Sequence, residues 1–275
     1  MNNEMIVCVP TYKRKWPVIL SCIRSNKNIT FHLFVRKSDY DNHYYDDEQF
    51  KLKNIVFVPI KNVNCIGETR EAMLQYAISN KYKYCFMIDD TQYGLQDITD
   101  THKSLYSILN ACISRFEEDS KKDTSFAFVF HRKVKYVNRC SKTYFLSQLC
   151  QTYILNCDVC KKYNLHFKAM KDVGIEDLDF YIEAADKNLV ALSDTRFIRV
   201  GEPASINREG GCHYNMEAAT NSETQLIRAK KLINYITSNN CITDKNFLKI
   251  QQSILYPGTF YCKFDSEYAR KKLIK

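Results

Sequence analysis

Two acidic clusters are the residues of this sequence whose chemistry is easiest to specify. The first follows the apolar run Tyr84 to Ile88, where Asp89 and Asp90 come directly after the last apolar residue. Hard divalent cations prefer oxygen ligands and are commonly held by one or two carboxylates together with substrate phosphates. Because open α/β sheets bind ligands beyond the carboxyl ends of their strands, this pair predicts metal or ribose binding. The alternative is a pair of aspartates that only form a turn or cap a helix.

The second acidic cluster begins at Glu176 and Asp177. Apolar residues follow at helical spacing and predict a buried helix face made of Leu178, Tyr181, Ile182 and Ala185. This pattern places the two carboxylates in the first turn of a helix. A carboxylate there can act as the general base that takes a proton from an attacking hydroxyl. The alternative is that both acids only stabilise the helix dipole.

The segment after the first apolar run carries residues that suit a nucleotide. The candidates for binding a nucleotide sugar in this segment are Pro10, Thr11, Tyr12 and Arg14. A small hydroxyl, an aromatic ring and a cation at a strand end can contact a base and its phosphates. The alternative is that Lys13 and Arg14 are solvated loop charges.

A second predicted diphosphate contact lies at Gly67 and Arg70. The spacing of apolar residues predicts a helix over Glu68 to Asn80, with Arg70 in its first turn. Exposed backbone amides and a forked cation at a helix start both favour an anion. The alternative is an ordinary charge arrangement on a surface helix.

Near the end of the α/β pattern, Gly210 and Gly211 are followed by His213. Paired glycines allow the backbone to approach a ligand closely, and a neutral histidine nitrogen can bind a metal. We therefore predict that both glycines contact the nucleotide sugar and that His213 is a metal ligand or diphosphate contact.

Apolar runs alternating with helical stretches must position these residues. The predicted strands are Met5 to Val9, Phe31 to Val35, Asn54 to Pro59, Tyr84 to Ile88, Ser125 to Phe130 and Val190 to Val200. The predicted helices between them are Trp16 to Ser25, Glu68 to Asn80 and Thr99 to Glu118. This alternation predicts an α/β sheet flanked by helices. We expect residues 1–214 to form one compact domain and residues 215–275 a helical, basic extension packed on it.

Composition narrows the class of protein. The 275 residues are 45% hydrophobic, which supports a full core, and no apolar run approaches the length of a membrane span. The sequence contains 12 cysteines, several within apolar runs such as those of Cys8, Cys85 and Cys112. Reduced, buried thiols in a cytoplasmic protein without membrane contact are the expectation. Cys157 and Cys160 form either a helical thiol pair or part of a zinc site.

The formal net charge of +9 is concentrated in two segments, Lys121 to Lys142 and Lys245 to Lys275. Basic patches attract polyanions such as nucleic acid. The alternative is a basic composition without any such partner.

Taken together, these motifs resemble the GT-A glycosyltransferases over about residues 5 to 213. The resemblance rests on the strand ending in Pro10 to Arg14, the Gly67 to Arg70 helix start, Asp89-Asp90 and Glu176-Asp177. It implies transfer of a sugar from a nucleotide diphosphate sugar, with UDP favoured, and Mn²⁺ or Mg²⁺ as cofactor. It assigns metal or ribose binding to Asp89 and Asp90, the catalytic base to Asp177 or Glu176, and a metal ligand to His213. One departure is Thr91, which stands where an Asp-x-Asp motif has its second acid.

A narrower resemblance concerns the acceptor. The arrangement of Asn156, Glu176 to Asp179 and Gly210-Gly211 is similar to that of the glycosyltransferases associated with TET and base-J-type oxygenases and their phage relatives. That group glycosylates hydroxymethylated pyrimidines in DNA, and it implies a flipped-out base as acceptor. Inversion at the sugar is a separate expectation, because two acids are available as a base and no residue is marked as a nucleophile. Two alternatives remain open: a glycan or lipid-linked acceptor, and a non-catalytic nucleotide- or DNA-binding module.

Overall fold

A computed structural model describes residues 4–14, 17–61, 63, 65–120, 125–132, 143–145, 152–169, 176–187 and 189–201. Its strands are β1 (Met5–Pro10), β2 (Phe31–Arg36), β3 (Ile55–Ile60), β4 (Tyr84–Ile88), β5 (Gln92–Asp97), β6 (Ser125–Arg132), β7 (Thr143–Phe145), β8 (Thr152–Asn156) and β9 (Val190–Gly201). Its helices are α1 (Ile19–Ser25), α2 (Lys37–Asp41), α3 (Ile66–Ser79), α4 (Leu105–Ser120), α5 (Cys157–Lys162) and α6 (Glu176–Asp186), with a 3₁₀ turn at Glu48–Phe50.

The described strands form one mixed sheet in the order β3-β2-β1-β4-β8-β6-β9-β5, with β7 also paired to β9. The first four strands in this order are parallel, so the carboxyl ends of β1, β2 and β4 meet at one edge. Next to β4 comes β8, which runs antiparallel and separates β4 from β6. From β1 the chain adds β2 and β3 on one side, and it then returns to place β4 on the other side of β1. Open α/β sheets bind ligands at such a point of reversal.

Helices cover both faces of the sheet and give two apolar clusters. Residues of α1 and α4 pack on one face, in a cluster that includes Val7, Ile23, Leu33, Ile108 and Phe128. Residues of α3, α5 and α6 pack on the other face, in a cluster that includes Met73, Met87, Tyr153, Cys160 and Phe180. β1 and β4 are buried along their whole length because both of their faces are covered.

The predicted α/β architecture is confirmed. β4 has the predicted bounds, β1 and β2 each extend one residue beyond the predicted end, and β3 is shifted by one residue at both ends. The predicted helices differ more: α1 begins at Ile19, α3 at Ile66, and α4 at Leu105 instead of Thr99. The late start of α4 has a local cause, because Asp97 accepts hydrogen bonds from the backbone N–H and hydroxyl of Thr99 and holds that residue in a turn.

Three strands, β5, β7 and β8, were missing from the prediction. β5 (Gln92–Asp97) is an edge strand with few apolar residues, so it lacks a strong alternating pattern. β8 is fully buried, and its pairing with β4 brings together residues far apart in the sequence. Asn156 ends β8 and caps α5, since its Oδ1 accepts a hydrogen bond from the N–H of Val159 at 3.1 Å.

The described cysteines are free, and those named above are buried, as predicted for Cys8, Cys85 and Cys112. Cys157 and Cys160 are buried thiols at the start of α5, and burial raises the pKa of both. Among the helices of the described residues, none combines the length and apolar character needed to cross a bilayer. The proposed extension, residues 215–275, lies outside the described residues.

Candidate functional site

The carboxyl edge of the parallel strands brings most of the predicted site residues together in two clusters. The Asp90 cluster contains Thr11 and Arg14 after β1 and Asp90 after β4. The arginine cluster contains Arg70 of α3, Asp89 after β4, and Glu176 and Asp177 of α6. Asp89 and Asp90 are neighbours in the chain, and their side chains belong to different clusters.

Two side chains hold Asp90 tightly within the Asp90 cluster. Its Oδ2 accepts a hydrogen bond of 2.9 Å from Arg14 Nε and one of 3.2 Å from the Thr11 hydroxyl. The Arg14 and Asp90 side chains are only 10% and 9% exposed. Burial raises the pKa of Asp90 to about 6, although the adjacent Arg14 opposes that rise. With Oδ2 engaged twice, Asp90 has less freedom than Asp89 to bind a cation.

The backbone of Asp90 also organises this edge of the sheet. Its carbonyl accepts a hydrogen bond of 3.1 Å from the N–H of Ile19, at the start of α1. The loop between β1 and α1 is therefore anchored to the end of β4 through both the side chain and the main chain of Asp90. Pro10 is the last residue of β1, and the loop begins after it. The N–H of Thr11, the first loop residue, donates a hydrogen bond to the carbonyl of Phe34 in β2.

In the arginine cluster, three carboxylates surround one buried guanidinium. Arg70 Nη2 donates to Asp89 Oδ1 at 3.1 Å. Arg70 Nη1 lies 2.6 Å from Glu176 Oε1, without hydrogen-bond geometry, and 3.6 Å from Asp177 Oδ2. The Arg70 side chain is 4% exposed. With all carboxylates ionised, the four charged groups carry more negative than positive charge.

This placement changes the interpretation of Arg70 and Gly67. α3 begins at Ile66, two residues before the predicted start, so Arg70 lies in the second turn and its cation faces carboxylates. A Cβ on Gly67 would lie 2.2 Å from the Lys168 carbonyl oxygen and 3.1 Å from Glu176 Cβ. Gly67 therefore permits close packing of α3 against Glu176 and the backbone at Lys168.

Glu176 and Asp177 differ in exposure. The Glu176 side chain is 5% exposed and that of Asp177 is 16% exposed. Burial raises the pKa of Glu176 to about 7, and repulsion by Asp177 and Asp89 adds to the effect while Arg70 opposes it. Within the described residues, Glu176 Oε2 is buried and has no hydrogen-bond partner. Both acids begin α6 as predicted, and Tyr181 lies on its buried face.

The raised pKa of Glu176 gives a prediction about stability. The folded protein keeps this proton up to about pH 7, whereas an ordinary glutamate loses it near 4.5. Because the folded state binds more protons in this window, the free energy of unfolding contributed by Glu176 falls as pH rises through it. We expect Glu176→Gln to remove that fall, and to be more stable than wild type at about pH 8 by on the order of a few kcal/mol.

Urea unfolding in metal-free buffer between about pH 5 and pH 8 measures this difference, with Glu117→Gln on the exposed face of α4 as the control. The advantage of Glu176→Gln should shrink as the pH is lowered, while the control should follow wild type. A Glu176→Gln protein that is less stable than wild type at every pH would contradict the prediction.

Sequence reasoning missed one residue of this edge, Asp39, which follows β2 at the start of α2. It is 6% exposed, its Oδ1 lies 3.6 Å from Lys13 Nζ, and its Oδ2 is buried without a hydrogen-bond partner among the described residues. Nearby, the Arg36 guanidinium lies over the Tyr12 ring, 3.8 Å from its centroid. The strand-end rule that selected Asp89 would also have selected Asp39, had it been applied to β2.

The metal assignment stays a prediction. Among the described residues, no three His, Cys, Asp or Glu side chains are grouped so that they could hold a metal ion. His213, Gly210 and Gly211 lie outside the described residues. Asp89 fits the role of a single carboxylate ligand, because its side chain is 19% exposed and only its Oδ1 is bonded to Arg70. A cation that also binds substrate phosphates needs few protein ligands.

No family model and no curated protein matches the sequence. The structure is similar to a crystal structure of GalNAc-T7 with UDP, GalNAc and Mn²⁺, with a TM-score of 0.50 and 11% sequence identity. The alignment covers 98% of this chain and 54% of that chain, so the chain spans about half the length of its structural neighbour. This likeness shows the fold, which is the GT-A fold predicted from the sequence motifs.

Proposed function

We propose that this protein is a metal-dependent glycosyltransferase, which moves a sugar from a nucleotide diphosphate sugar to an acceptor hydroxyl. The observation that carries the proposal is the arginine cluster, in which acids from β4 and α6 meet at the carboxyl edge of a GT-A sheet. Sugar transfer requires one acid that can hold a metal beside the leaving group. It also requires a second acid that can take the proton of the attacking hydroxyl. The GT-A fold supports the same class of reaction.

The donor is proposed to lie across β1, β2 and β4. Asp39 has a buried carboxylate oxygen without a partner among the described residues, which suits an N–H group of a nucleobase such as uracil. Asp90, fixed by Arg14 and Thr11, is proposed to face the ribose. This arrangement supports UDP as the nucleotide, as does the presence of UDP in the GalNAc-T7 structure.

Asp89 is proposed to hold Mn²⁺ or Mg²⁺, with His213 as a second ligand. When bound, such a cation would neutralise the charge that develops on the diphosphate leaving group. Asp89 suits this role better than Asp90 because it is more exposed and keeps one carboxylate oxygen outside the contact with Arg70. Gly210 and Gly211 are proposed to approach the same diphosphate.

Asp177 is proposed to be the general base. It is more exposed than Glu176, so an acceptor reaches it more easily. As the acceptor oxygen bonds to the anomeric carbon, its proton passes to the Asp177 carboxylate. The bond between the anomeric carbon and the phosphate oxygen breaks at the same time, and the nucleoside diphosphate leaves with that electron pair. Attack from the opposite side inverts the configuration.

The acceptor is proposed to be a hydroxymethylated pyrimidine in DNA. Support comes from the motif resemblance around Glu176 and from the net charge of +9, which favours a polyanionic partner. In a duplex, such a base must leave the stack before its hydroxyl can reach the anomeric carbon. Residues 1–214 would hold the catalytic site, and residues 215–275 would extend the surface available to the acceptor.

An assay of nucleotide release tests the proposal. The protein is incubated with Mn²⁺ and a panel of UDP- and GDP-sugars, alone and with DNA containing 5-hydroxymethylcytosine or 5-hydroxymethyluracil. Unmodified DNA and a mixture of glycans are the comparison acceptors. We expect one sugar nucleotide to be consumed fastest with hydroxymethylated DNA. Consumption stimulated only by glycans would overturn the DNA acceptor, and binding without any release would indicate a non-catalytic module.

A further inference from the structure

Arg70 is placed so that a substrate cannot reach it directly. Its side chain is 4% exposed. Its terminal nitrogens face Asp89 and the first two residues of α6, Glu176 and Asp177. On its remaining side the guanidinium lies 5.5 Å from the centroid of the Tyr153 ring in β8. A diphosphate bound at the sheet edge would therefore meet the carboxylates around Arg70 before the cation itself.

The contacts of Arg70 in α3 connect this helix to the end of β4 and to the start of α6. Nη2 reaches Asp89 at the end of β4, and Nη1 faces Glu176 and Asp177 in the first turn of α6. Gly67 lies one turn earlier on the same face of α3, where the absence of a side chain lets the helix approach Glu176 closely. The first half of α3 is thus fitted against both the strand end and the start of α6.

We infer that Arg70 is a positioning residue, which fixes the separation between Asp89 on the leaving-group side and Asp177 on the acceptor side. This inference rests on the proposed function. A planar guanidinium can hold carboxylates through two separate nitrogens, whereas a lysine ammonium is a single point charge on a flexible stem. In Arg70 one nitrogen is hydrogen-bonded to Asp89 and the other lies within ion-pair distance of Glu176 and Asp177, so the planar shape of the group, and not only its charge, relates the positions of Asp89 and Asp177.

The variant Arg70→Lys tests this role because it keeps the charge and removes the fork. We expect kcat for sugar transfer, at saturating donor and acceptor, to fall by about 10- to 100-fold, as is typical when a group that orients catalytic residues is replaced. The KM for the sugar nucleotide and the Kd for UDP with Mn²⁺ should stay within about twofold of wild type, because Arg70 does not contact the donor. The control is Arg24→Lys, at an exposed position of α1.

Calorimetric titration with UDP gives the fraction of folded, binding-competent chains, so a loss of kcat can be separated from a loss of folded protein. If Arg70→Lys does not fold, Glu176→Gln replaces it, since that change weakens the same connection and leaves Arg70 two carboxylates. For that variant we expect a smaller loss of kcat, equal across the pH range, with the Kd for UDP unchanged.

Three outcomes would overturn the inference. An unchanged kcat in Arg70→Lys would show that the fork is not needed. A Kd for UDP weakened by about tenfold or more would make Arg70 a direct ligand of the diphosphate. A loss of pH dependence in Glu176→Gln would make Glu176 the base. By contrast, a wild-type protein that consumes no sugar nucleotide of the panel would contradict the proposed function itself.

Discussion

Replacing Asp89 by asparagine is expected to reduce sugar-nucleotide turnover by about 10²- to 10³-fold while the fold is retained. Asparagine has the same shape, but it lacks the charge needed to bind a divalent cation beside a diphosphate. The fold should tolerate the change, because Arg70 keeps Glu176 and Asp177 as partners and the cluster loses one of its excess negative charges. The cost should therefore appear in catalysis and not in stability.

Nucleotide release measured over a range of Mn²⁺ concentrations tests this expectation, together with thermal unfolding of the variant. Asp158→Asn is the matched control, because Asp158 is an exposed aspartate in the first turn of α5. The apparent affinity for Mn²⁺ should fall in Asp89→Asn and stay unchanged in the control. A normal rate in Asp89→Asn at low Mn²⁺ would contradict the proposal that Asp89 binds the metal.

The second large effect is expected for Asp177→Asn, which removes the proposed general base. Proton transfer by a positioned side chain contributes about 10²- to 10⁴-fold to a reaction, so transfer to the acceptor should fall within that range. Binding of UDP with Mn²⁺ should be retained, because the residues proposed to hold the donor follow β1, β2 and β4. The acidic limb of the pH profile of kcat/KM should also disappear, since no carboxylate remains to titrate in that role.

Glu183→Gln is the control for this experiment, because Glu183 lies on the same helix, where it pairs with Lys187 and Lys168. Initial rates of sugar transfer and UDP titrations are to be compared for wild type and both variants. If Asp177→Asn keeps its rate and its acidic limb while Glu176→Gln loses both, the base would be Glu176. Equal rates in all of the proteins would indicate that neither Asp177 nor Glu176 is the required base.

Asp89 and Asp177 were both predicted as site residues from the sequence, whereas the partners of the neighbouring Arg70 were not. That acids follow the apolar run of β4 and begin α6 is visible locally, because a long apolar run and helical spacing are short-range patterns. The partner of Arg70 is not visible locally. An arginine near a helix start suits an external anion and an internal carboxylate equally well, and only packing decides between them.

Asp39 is a residue whose importance the sequence did not reveal. Its chemistry is evident in the sequence, where it stands among lysine, tyrosine and aspartate in a short polar segment. Nothing in that segment distinguishes a buried acid from an exposed one. The pairing of β2 with β1 places Asp39 beside Lys13, and its burial leaves one oxygen without a hydrogen-bond partner among the described residues.

The sequence by itself determined the α/β architecture, the positions of the four parallel strands to within one residue at each end, and the acids that follow β4 and begin α6. These features follow from the spacing of apolar and charged residues within short segments. That spacing does not depend on where the segment lies in the fold. The tertiary structure alone decided that Asp89 turns to Arg70 and Asp90 to Arg14, 76 residues away in the chain. The physical reason is that neighbouring residues at a strand end face different sides of the sheet. The charged side chains on those two sides come from elements that are distant in the sequence.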